Sequence, residues 1–361
     1  MAIRVLHVLD KICKGSGVSG VVLNYYGKLW DKVAFDFMLN EEPDPEMRHH
    51  LESKGSNIFV MPGLRATNLP SYIAALKKFY ESHQYEIIHG HVVNSAVFYL
   101  GLAKNAPHRI IHSHSTQSSD VTWKRLRNWP TNRLIKVVAN KQMACSVPAA
   151  EYLFGKRNNA FILSNAIEID NFLFCKCSRN RVRAKLGFGE EKVIGHVGRF
   201  CNAKNQGFLI DAFSEAYSVD KNLRLMLVGY GALLEKAVRK VKRLGISEAV
   251  KFIGITNDVP AYLSAMDVFA LPSKFEGLGM VAVEAQASGL PVMTSNTVPR
   301  IVRVNSLVEF LCLDISLWAQ KFVNTPSNAH DRMKLGYELK GSLFDIDKQA
   351  KELCLYYQGL Q

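Results

Sequence analysis

The chain has 361 residues, 48% of them hydrophobic, and its formal net charge at pH 7 is +13. This length and hydrophobic content are enough for two domains with buried cores, and the positive charge calls for an anionic partner: nucleic acid, a nucleotide sugar or an acidic membrane surface. No apolar run approaches the ~18–20 residues of a membrane span, and the N-terminal apolar stretch is too short for a signal peptide, so a membrane-spanning or secreted protein is disfavoured.

The cysteines indicate a reducing compartment. There are seven, an odd number, and the only close pair is Cys175 and Cys177. No second pair and no flanking histidines complete the spacing of a zinc site. We therefore expect free thiols and a cytoplasmic protein.

The N-terminal segment has the pattern of a Rossmann-type unit. A strand predicted over 3–9 runs into the glycine-rich stretch 15–20, and a helix follows over 21–30. The stretch lacks the G-x-G-x-x-G frame, and no acidic residue near the second strand is placed to bind a dinucleotide ribose. A dehydrogenase is therefore disfavoured, and an ordinary strand-to-helix turn is the alternative to a phosphate-binding loop.

Apolar strands and helical stretches alternate through the rest of the first half. Alternation of this kind predicts an α/β fold with a doubly wound parallel sheet. The predicted strands are 35–39, 58–60, 87–89 and 109–112, and helices are predicted between them, for instance over 70–82 and 95–104.

Two histidine pairs end predicted strands of this half. His89 and His91 follow one strand, and His112 and His114 follow another, at the edge where parallel sheets place their ligands. We expect the two members of each pair to point to opposite sides of the strand end, so no metal site is predicted. Each histidine is then either a structural residue or a polar group that faces a ligand.

A basic stretch rich in aromatic residues comes next. The segment 121–141 contains six Lys or Arg residues and no acidic residue, with tryptophan, leucine and isoleucine among them. Such a segment can lie in an anionic membrane interface. A solvated helix face and nucleic-acid binding are the alternatives, but no nucleic-acid-binding module has its signature here. The membrane-docking candidates are Trp123, Lys124, Arg125, Arg127, Trp129 and Arg133.

The alternation of strands and helices is interrupted once. It breaks into a polar linker after the apolar residues 161–163 and restarts at Lys192. We therefore place a first Rossmann-like domain at 1–165 and a second at 175–344.

The second half contains a strand, a glycine-bearing loop and a helix in succession. An apolar strand over 268–271 is stopped by Pro272, and a run of helix formers extends from Met280 to Ser288. Glu276 lies in the loop, and Glu284 lies about one turn inside the helix. A helix N-terminus beneath such a loop suits a diphosphate, and the two carboxylates can accept hydrogen bonds from sugar hydroxyls. The alternative is a capping loop with a solvated glutamate face.

Two motifs carry a resemblance to a known family. Glu276 and Glu284, with the continuation AQASGLPV over 285–292, resemble the E-x7-E signature of the group 1 retaining glycosyltransferases. The segment IGHVGRF over 194–200, followed by Lys204, is similar to the strand and loop that present an Arg and a Lys to the donor pyrophosphate in that family. The resemblance implies the GT-B fold, in which two Rossmann-like, doubly wound parallel-sheet domains face each other across a cleft.

The resemblance also implies a role for each site residue. Arg199 and Lys204 would stabilise the charge that develops on the leaving diphosphate, Glu284 would hold the ribose, and Glu276 would contact the sugar. Catalytic roles are expected for Glu276 and for His114, which matches a family histidine that faces the donor sugar. The remaining donor-binding candidates are Gly17 and the loop residues Gly277, Leu278, Gly279 and Met280.

No cofactor and no divalent metal are expected, because the two cations and the helix dipole neutralise the diphosphate. The triplet Asp345-Ile346-Asp347 resembles the DxD metal motif of another glycosyltransferase class. It lies at the start of a predicted helix, where Asp commonly caps, and we assign it no metal. That helix, about 345–361, is expected to pack back onto the first domain, as in the family.

The sequence therefore predicts a retaining hexosyltransferase that moves a sugar from a nucleotide donor, expected to be UDP-linked, to a growing and plausibly lipid-linked glycan. Bacterial capsule or exopolysaccharide synthesis is the expected setting, at the inner face of the cell membrane. The alternative is a non-catalytic GT-B-like subunit that stabilises a partner transferase. Two departures from the family pattern, Ser16 and Ala166 where glycines are usual, leave room for that alternative. An epimerase or a phosphorylase is less favoured, since no pyridoxal-binding lysine environment is recognisable.

Overall fold

A computed structural model gives the fold and describes residues 3–13, 17–114, 134–326 and 331–360. The chain divides into two compact units. The first consists of Met1–Ile167 together with Ile346–Gln361, and the second is Glu168–Asp345.

The first unit is built on a seven-stranded parallel sheet. Its strand order is β3-β2-β1-β4-β5-β6-β7, so the order reverses between β1 and β4. A buried apolar layer covers each face of the sheet, one containing Val5 and Phe37 and the other containing Leu6 and Ile88. The strands are β1 (Ile3–Leu9), β2 (Val33–Leu39), β3 (Ile58–Val60), β4 (Ile87–Gly90), β5 (His108–Ser113), β6 (Lys141–Ala144) and β7 (Phe161–Ile162).

Helices connect these strands and fill both layers. Their starts follow local chemistry: Asp44 and Ser146 each accept a backbone N–H of the first turn, and a proline follows each cap. The helices are α1 (Gly17–Leu29), α2 (Pro45–Ser53), α3 (Leu69–Ser82), α4 (Ala96–Leu102) and α5 (Val147–Phe154).

The C-terminal helix, Ile346–Gln358, belongs to the first unit. It packs on α1, and Leu353 and Tyr357 enter the same apolar layer as Tyr25. This helix is numbered α14 below, after the eight helices of the second unit.

The second unit is built on a six-stranded parallel sheet in the order β10-β9-β8-β11-β12-β13, which reverses between β8 and β11. Its strands are β8 (Lys192–Val197), β9 (Leu223–Val228), β10 (Val250–Gly254), β11 (Val268–Leu271), β12 (Val292–Ser295) and β13 (Val308–Leu311). Its helices are α6 (Ile169–Phe172), α7 (Lys176–Leu186), α8 (Gln206–Val219), α9 (Leu234–Arg243), α10 (Val259–Ala265), α11 (Met280–Ala287), α12 (Ile315–Asn324) and α13 (Arg332–Tyr337), with short 3-10 turns at Ser247–Ala249 and Arg300–Val302.

The predicted α/β class is confirmed: both units are parallel-sheet, Rossmann-like domains. Each sheet reverses its strand order once, and ligands of such sheets bind outside the carboxyl ends of the strands at that point. Within the described ranges, no helix is both long and apolar enough to cross a membrane. The seven cysteines are free thiols.

Candidate functional site

The loops that follow β8 and β11 meet at the strand-order reversal of the second unit. The two strands are neighbours, with Ile194 beside Val268. Lys274 donates its backbone N–H to Ala203, and the side-chain amide of Asn205 donates to Pro272, so the two loops are joined. This junction holds the side chains of Lys204 and Glu276, which lie far apart in sequence.

Glu276 is held in place by two donors. Lys204 Nζ lies 2.5 Å from Glu276 Oε1, and the Ser273 hydroxyl donates to the same oxygen at 2.6 Å. The carboxylate is only 9% exposed. The carbonyl of Ser273 in turn accepts hydrogen bonds from the hydroxyls of Ser295 and Thr297. The Lys204–Glu276 ion pair is therefore held by residues at the ends of β11 and β12. The second carboxylate oxygen of Glu276 can accept a hydrogen bond from a ligand hydroxyl.

Glu284 lies one turn into α11, which begins after Gly279 in the left-handed conformation at φ 82°. A Cβ at Gly279 would come within 3.2 Å of Val298, so glycine suits both the backbone angle and the space. Burial raises the pKa of Glu284 to about 7, although the charge of Lys204 opposes that shift. The first backbone N–H groups of α11 have no acceptor within the helix, which makes this end a favourable place for an anion.

Arg199 is exposed at the carboxyl end of β8, and no ion pair is recorded for its guanidinium in the described part of the chain. Its loop is tightly packed. A Cβ at Gly229 would lie 2.2 Å from the carbonyl oxygen of Gly198, and one at Gly231 would lie 2.4 Å from that of Phe200. The glycines of the 229–231 turn thus permit the close approach of a neighbouring loop that carries Arg199.

His196 and Gln206 were not assigned a role from the sequence, yet they position this loop. His196 Nδ1 donates to the carbonyl of Ala270 at 2.8 Å, and burial lowers the pKa of His196 to about 4. The neutral ring then accepts from the Gln206 side chain at 3.2 Å, and that same amide donates to the carbonyl of Arg199 at 3.0 Å. Only the position of His196 at a strand end could have signalled this contact.

His114 lies in the first unit, just after β5, and is partly buried. Its Nε2 is 2.8 Å from His91 Nδ1, and the rings of His112 and His114 are stacked 3.9 Å apart. The rings of His89 and His91 are also stacked, at 4.4 Å. The expectation that the members of each pair point to opposite sides was therefore wrong, because alternate residues of a strand project from the same face.

Gly17 begins α1 in the first unit and is exposed. A Cβ at this position would meet no described atom within 4 Å, so no contact inside the described chain requires glycine there. The six membrane-docking candidates between Trp123 and Arg133 lie outside the described residues.

The DxD-like triplet has structural partners. Asp345 accepts the backbone N–H of Gly341 at 2.7 Å, and Asp347 forms an ion pair with Lys28 at 2.8 Å. These contacts connect the start of α14 to the preceding turn and to α1, and a capping role for Asp345 stays a prediction.

Comparison with known proteins gives a consistent picture. The sequence model of the family described as "Glycosyl transferases group 1" matches residues 191–325. EpsF of Bacillus subtilis (strain 168), whose name assigns it to the glycosyltransferases, is 30% identical over 98% of this chain and 96% of its own length. CapH of Staphylococcus aureus, named as a capsular polysaccharide biosynthesis glycosyltransferase, is 24% identical over 99% of both chains.

Among solved structures, HepE of Anabaena in complex with UDP aligns with a TM-score of 0.79 at 19% identity, over 99% of this chain and 100% of that one. This likeness concerns the fold, and it confirms the predicted GT-B architecture of two Rossmann-like domains.

Proposed function

This chain belongs to the group 1 glycosyltransferases, and we propose that it transfers a sugar, with retention of configuration, from a UDP-linked donor to a growing polysaccharide. The observation that carries the proposal is the junction of Lys204, Glu276 and Glu284 at the strand-order reversal of the second unit. Burial of Glu284 disfavours its ionised form and so lowers the stability of the fold at neutral pH. A non-catalytic subunit has no need of that arrangement.

The proposed donor site divides the nucleotide sugar among these groups. Arg199 and Lys204 bind the diphosphate together with the backbone amides of the loop residues 277–279 and of Met280, the first residue of α11. Glu284 accepts hydrogen bonds from the ribose, and Glu276 accepts one from a sugar hydroxyl while Lys204 and Ser273 hold it in place. The fixed cations stabilise charge on the leaving diphosphate, so the proposal requires no divalent ion there.

The choice of UDP is supported by the solved relatives. HepE is described in complexes with UDP and with UDP-glucose. A mannosyltransferase of Mycolicibacterium smegmatis that matches this chain over 37% of its length is named as GDP-mannose-dependent, so the base must be tested directly. The polysaccharide acceptor is supported by the name of CapH.

We also propose that the acceptor is lipid-linked and that the first unit docks on an anionic membrane. Two observations support this. In the helical residues 134–138, Leu134 is 52% and Val137 is 78% exposed. A neighbouring groove of about 990 Å³ is lined by the cations Lys136, Lys141, Lys156 and Arg157. Apolar side chains beside a basic groove favour the interface of an anionic bilayer.

Calorimetric titration with UDP, GDP and ADP in buffer with a chelator tests the proposal. We expect selective UDP binding that Glu284→Gln weakens strongly and that the control Glu248→Gln, at an exposed position, leaves unchanged. UDP-sugar hydrolysis without an acceptor would then report turnover. If none of the three nucleotides binds, the proposal of an active transferase is wrong and a non-catalytic subunit is favoured.

A further inference from the structure

Five imidazole rings form one buried cluster in the first unit. His7 lies on β1, His89 and His91 lie at the end of β4, and His112 and His114 lie at the end of β5, three strands that are adjacent in the sheet. Parallel register places all five on one face, beneath Tyr357 of α14. The proposed transfer reaction needs at most His114 from this cluster, so four rings have no assigned task.

The rings form two hydrogen-bonded rows. In the first, His7 Nδ1 is 3.1 Å from His91 Nε2, and His91 Nδ1 is 2.8 Å from His114 Nε2. In the second, the Tyr357 hydroxyl is 2.6 Å from His89 Nδ1, and His89 Nε2 is 3.2 Å from His112 Nδ1.

Each row ends in a ring nitrogen for which the row itself offers no hydrogen-bond partner. In this cluster, two buried ring nitrogens lack a partner among the described residues: His7 Nε2 and His112 Nε2. His114, at the other end of the first row, interacts with the side chain of Asn165. A neutral imidazole has one donor and one acceptor, so each row of rings leaves a buried terminal nitrogen without a partner whichever tautomers are chosen. A cation bound by His112 Nε2 would give that buried nitrogen a partner.

We propose that His91, His112 and His114 bind one first-row transition-metal ion such as Zn²⁺. One ring nitrogen from each lies within 4.8 Å of the other two. Tetrahedral coordination with Zn–N distances of about 2.0–2.1 Å places ligand nitrogens about 3.3 Å apart, so the rings would move toward the ion on binding. His114 is the only one of the three that is not fully buried, so an ion would enter the cluster from its side.

The remaining members of the cluster serve as outer partners. When His112 binds the ion through Nε2, its Nδ1–H donates to His89, whose own Nδ1–H donates to the Tyr357 oxygen. When His91 binds through Nδ1, its Nε2–H donates to His7. Hydrogen bonds of this kind fix the tautomer and orientation of metal-ligating histidines.

The ligand chemistry selects the ion. The candidate clusters in the described part of the chain consist of histidine alone, without carboxylate or thiolate. Imidazole suits Zn²⁺, Co²⁺, Ni²⁺ and Cu²⁺, whereas Mg²⁺ and Ca²⁺ require oxygen ligands. A second grouping of His7, His89 and His91 is fully buried and shares His91, so we assign the ion to the group whose third member, His114, is only partly buried. The histidine cluster lies in the first unit, and the residues proposed to bind the diphosphate belong to the second.

Cobalt titration of the chelator-treated, dialysed full chain tests the site, with Co²⁺ alone as the probe. We expect the visible absorption bands of four-coordinate Co²⁺ to reach saturation at one ion per chain and to disappear on addition of Zn²⁺. His114→Asn and His112→Asn should weaken Co²⁺ by more than the about 10–100-fold that loss of an outer partner costs. The matched control is His50→Asn, an exposed histidine on α2.

Three outcomes would overturn the assignment. They are no saturable bands in the unmodified chain, unchanged affinity in both ligand variants, and bands abolished by His7→Asn but retained in His114→Asn. Far-UV circular dichroism establishes that each variant is folded, and UDP calorimetry reports on the second unit alone. UDP binding is assigned to the other unit, so its failure would count against the proposed function and not against the metal site.

Discussion

Burial of the Glu284 side chain disfavours its ionised form. The same ionised carboxylate is proposed to bind the ribose, so its effects on stability and on nucleotide binding can be compared. The folded-state pKa of about 7 lies above the ordinary value of 4.5, so folding favours the protonated acid. The stabilising effect of the proton is complete below pH 4.5 and is lost as the pH rises through 7. Above pH 7 Glu284 is ionised in the folded protein at a cost in stability, and its carboxylate can then accept hydrogen bonds from a ribose.

We therefore expect Glu284→Gln to have opposite effects on stability and binding. At pH 8 the variant should unfold at a higher denaturant concentration than the unmodified chain, by an amount on the order of 1–2 kcal/mol after allowance for solvent screening. This gain should vanish at pH 4.5, where both side chains are neutral. UDP affinity at pH 8 should fall. Chemical denaturation at the two pH values, with calorimetry beside it, measures both effects; a variant that is less stable at pH 8 would contradict the assigned charge state.

The residues of the candidate site differ in how far the sequence could predict them. Glu276 and Glu284 were proposed from a strand, loop and helix that are contiguous in sequence, and Lys204 was proposed from the family resemblance. Ser273 and His196 were missed because their roles depend on partners brought together only by the sheet, Glu276 and Ala270 respectively. The histidine cluster was misjudged for a different reason: local geometry already places residues i and i+2 on one face of a strand.

At the scale of single elements, the helical residues 134–138 carry the argument for membrane docking. Ile135 is fully buried in the core, whereas Val137, two positions later, is 78% exposed. A helix that anchors one side chain and leaves a large apolar one in water is suited to an interface. The basic groove beside it supplies attraction to anionic lipid.

Vesicle flotation should detect this docking. The unmodified chain should float with phosphatidylglycerol vesicles and not with neutral phosphatidylcholine vesicles, and added salt should release it. Val137→Asp should reduce flotation several-fold. The matched control is Val219→Asp, at a 74% exposed valine that ends α8 in the second unit. If both variants float equally less, the added negative charge and not the position explains the effect. If Val137→Asp floats as well as the unmodified chain, residues 134–138 do not take part in docking.

At the scale of the whole molecule, the two sheets could be predicted from local pattern, whereas the return of the C-terminal helix could not. The alternation of strands and helices predicted two parallel sheets because each βαβ unit is a local pattern. The return of α14 to the first unit depends on its contact with α1, more than 300 residues away in sequence, and was expected only from the family resemblance.

The buried histidines whose pKa is lowered are distributed unequally between the two units. Burial lowers the pKa of His7, His89, His91 and His112 well below 6.5, and that of His114 to about 4, all in the first unit. In the described second unit, a lowered histidine pKa is found at His196, also about 4. A lowered folded-state pKa contributes stability that is present above pH 6.5 and lost as the pH falls.

We therefore expect mild acid to unfold the first unit before the second. Each of these histidines takes up a proton only on unfolding, so the unfolded state is favoured as the pH falls below 6.5. The first unit has five such groups and the described second unit has one, so the stability of the first unit should fall more steeply. Pulsed hydrogen exchange with mass spectrometry, in chelator and corrected for intrinsic rates, should show peptides from the first unit losing protection while those from 168–345 retain it. Simultaneous loss, or earlier loss in the second unit, would show that the buried histidines do not govern acid stability.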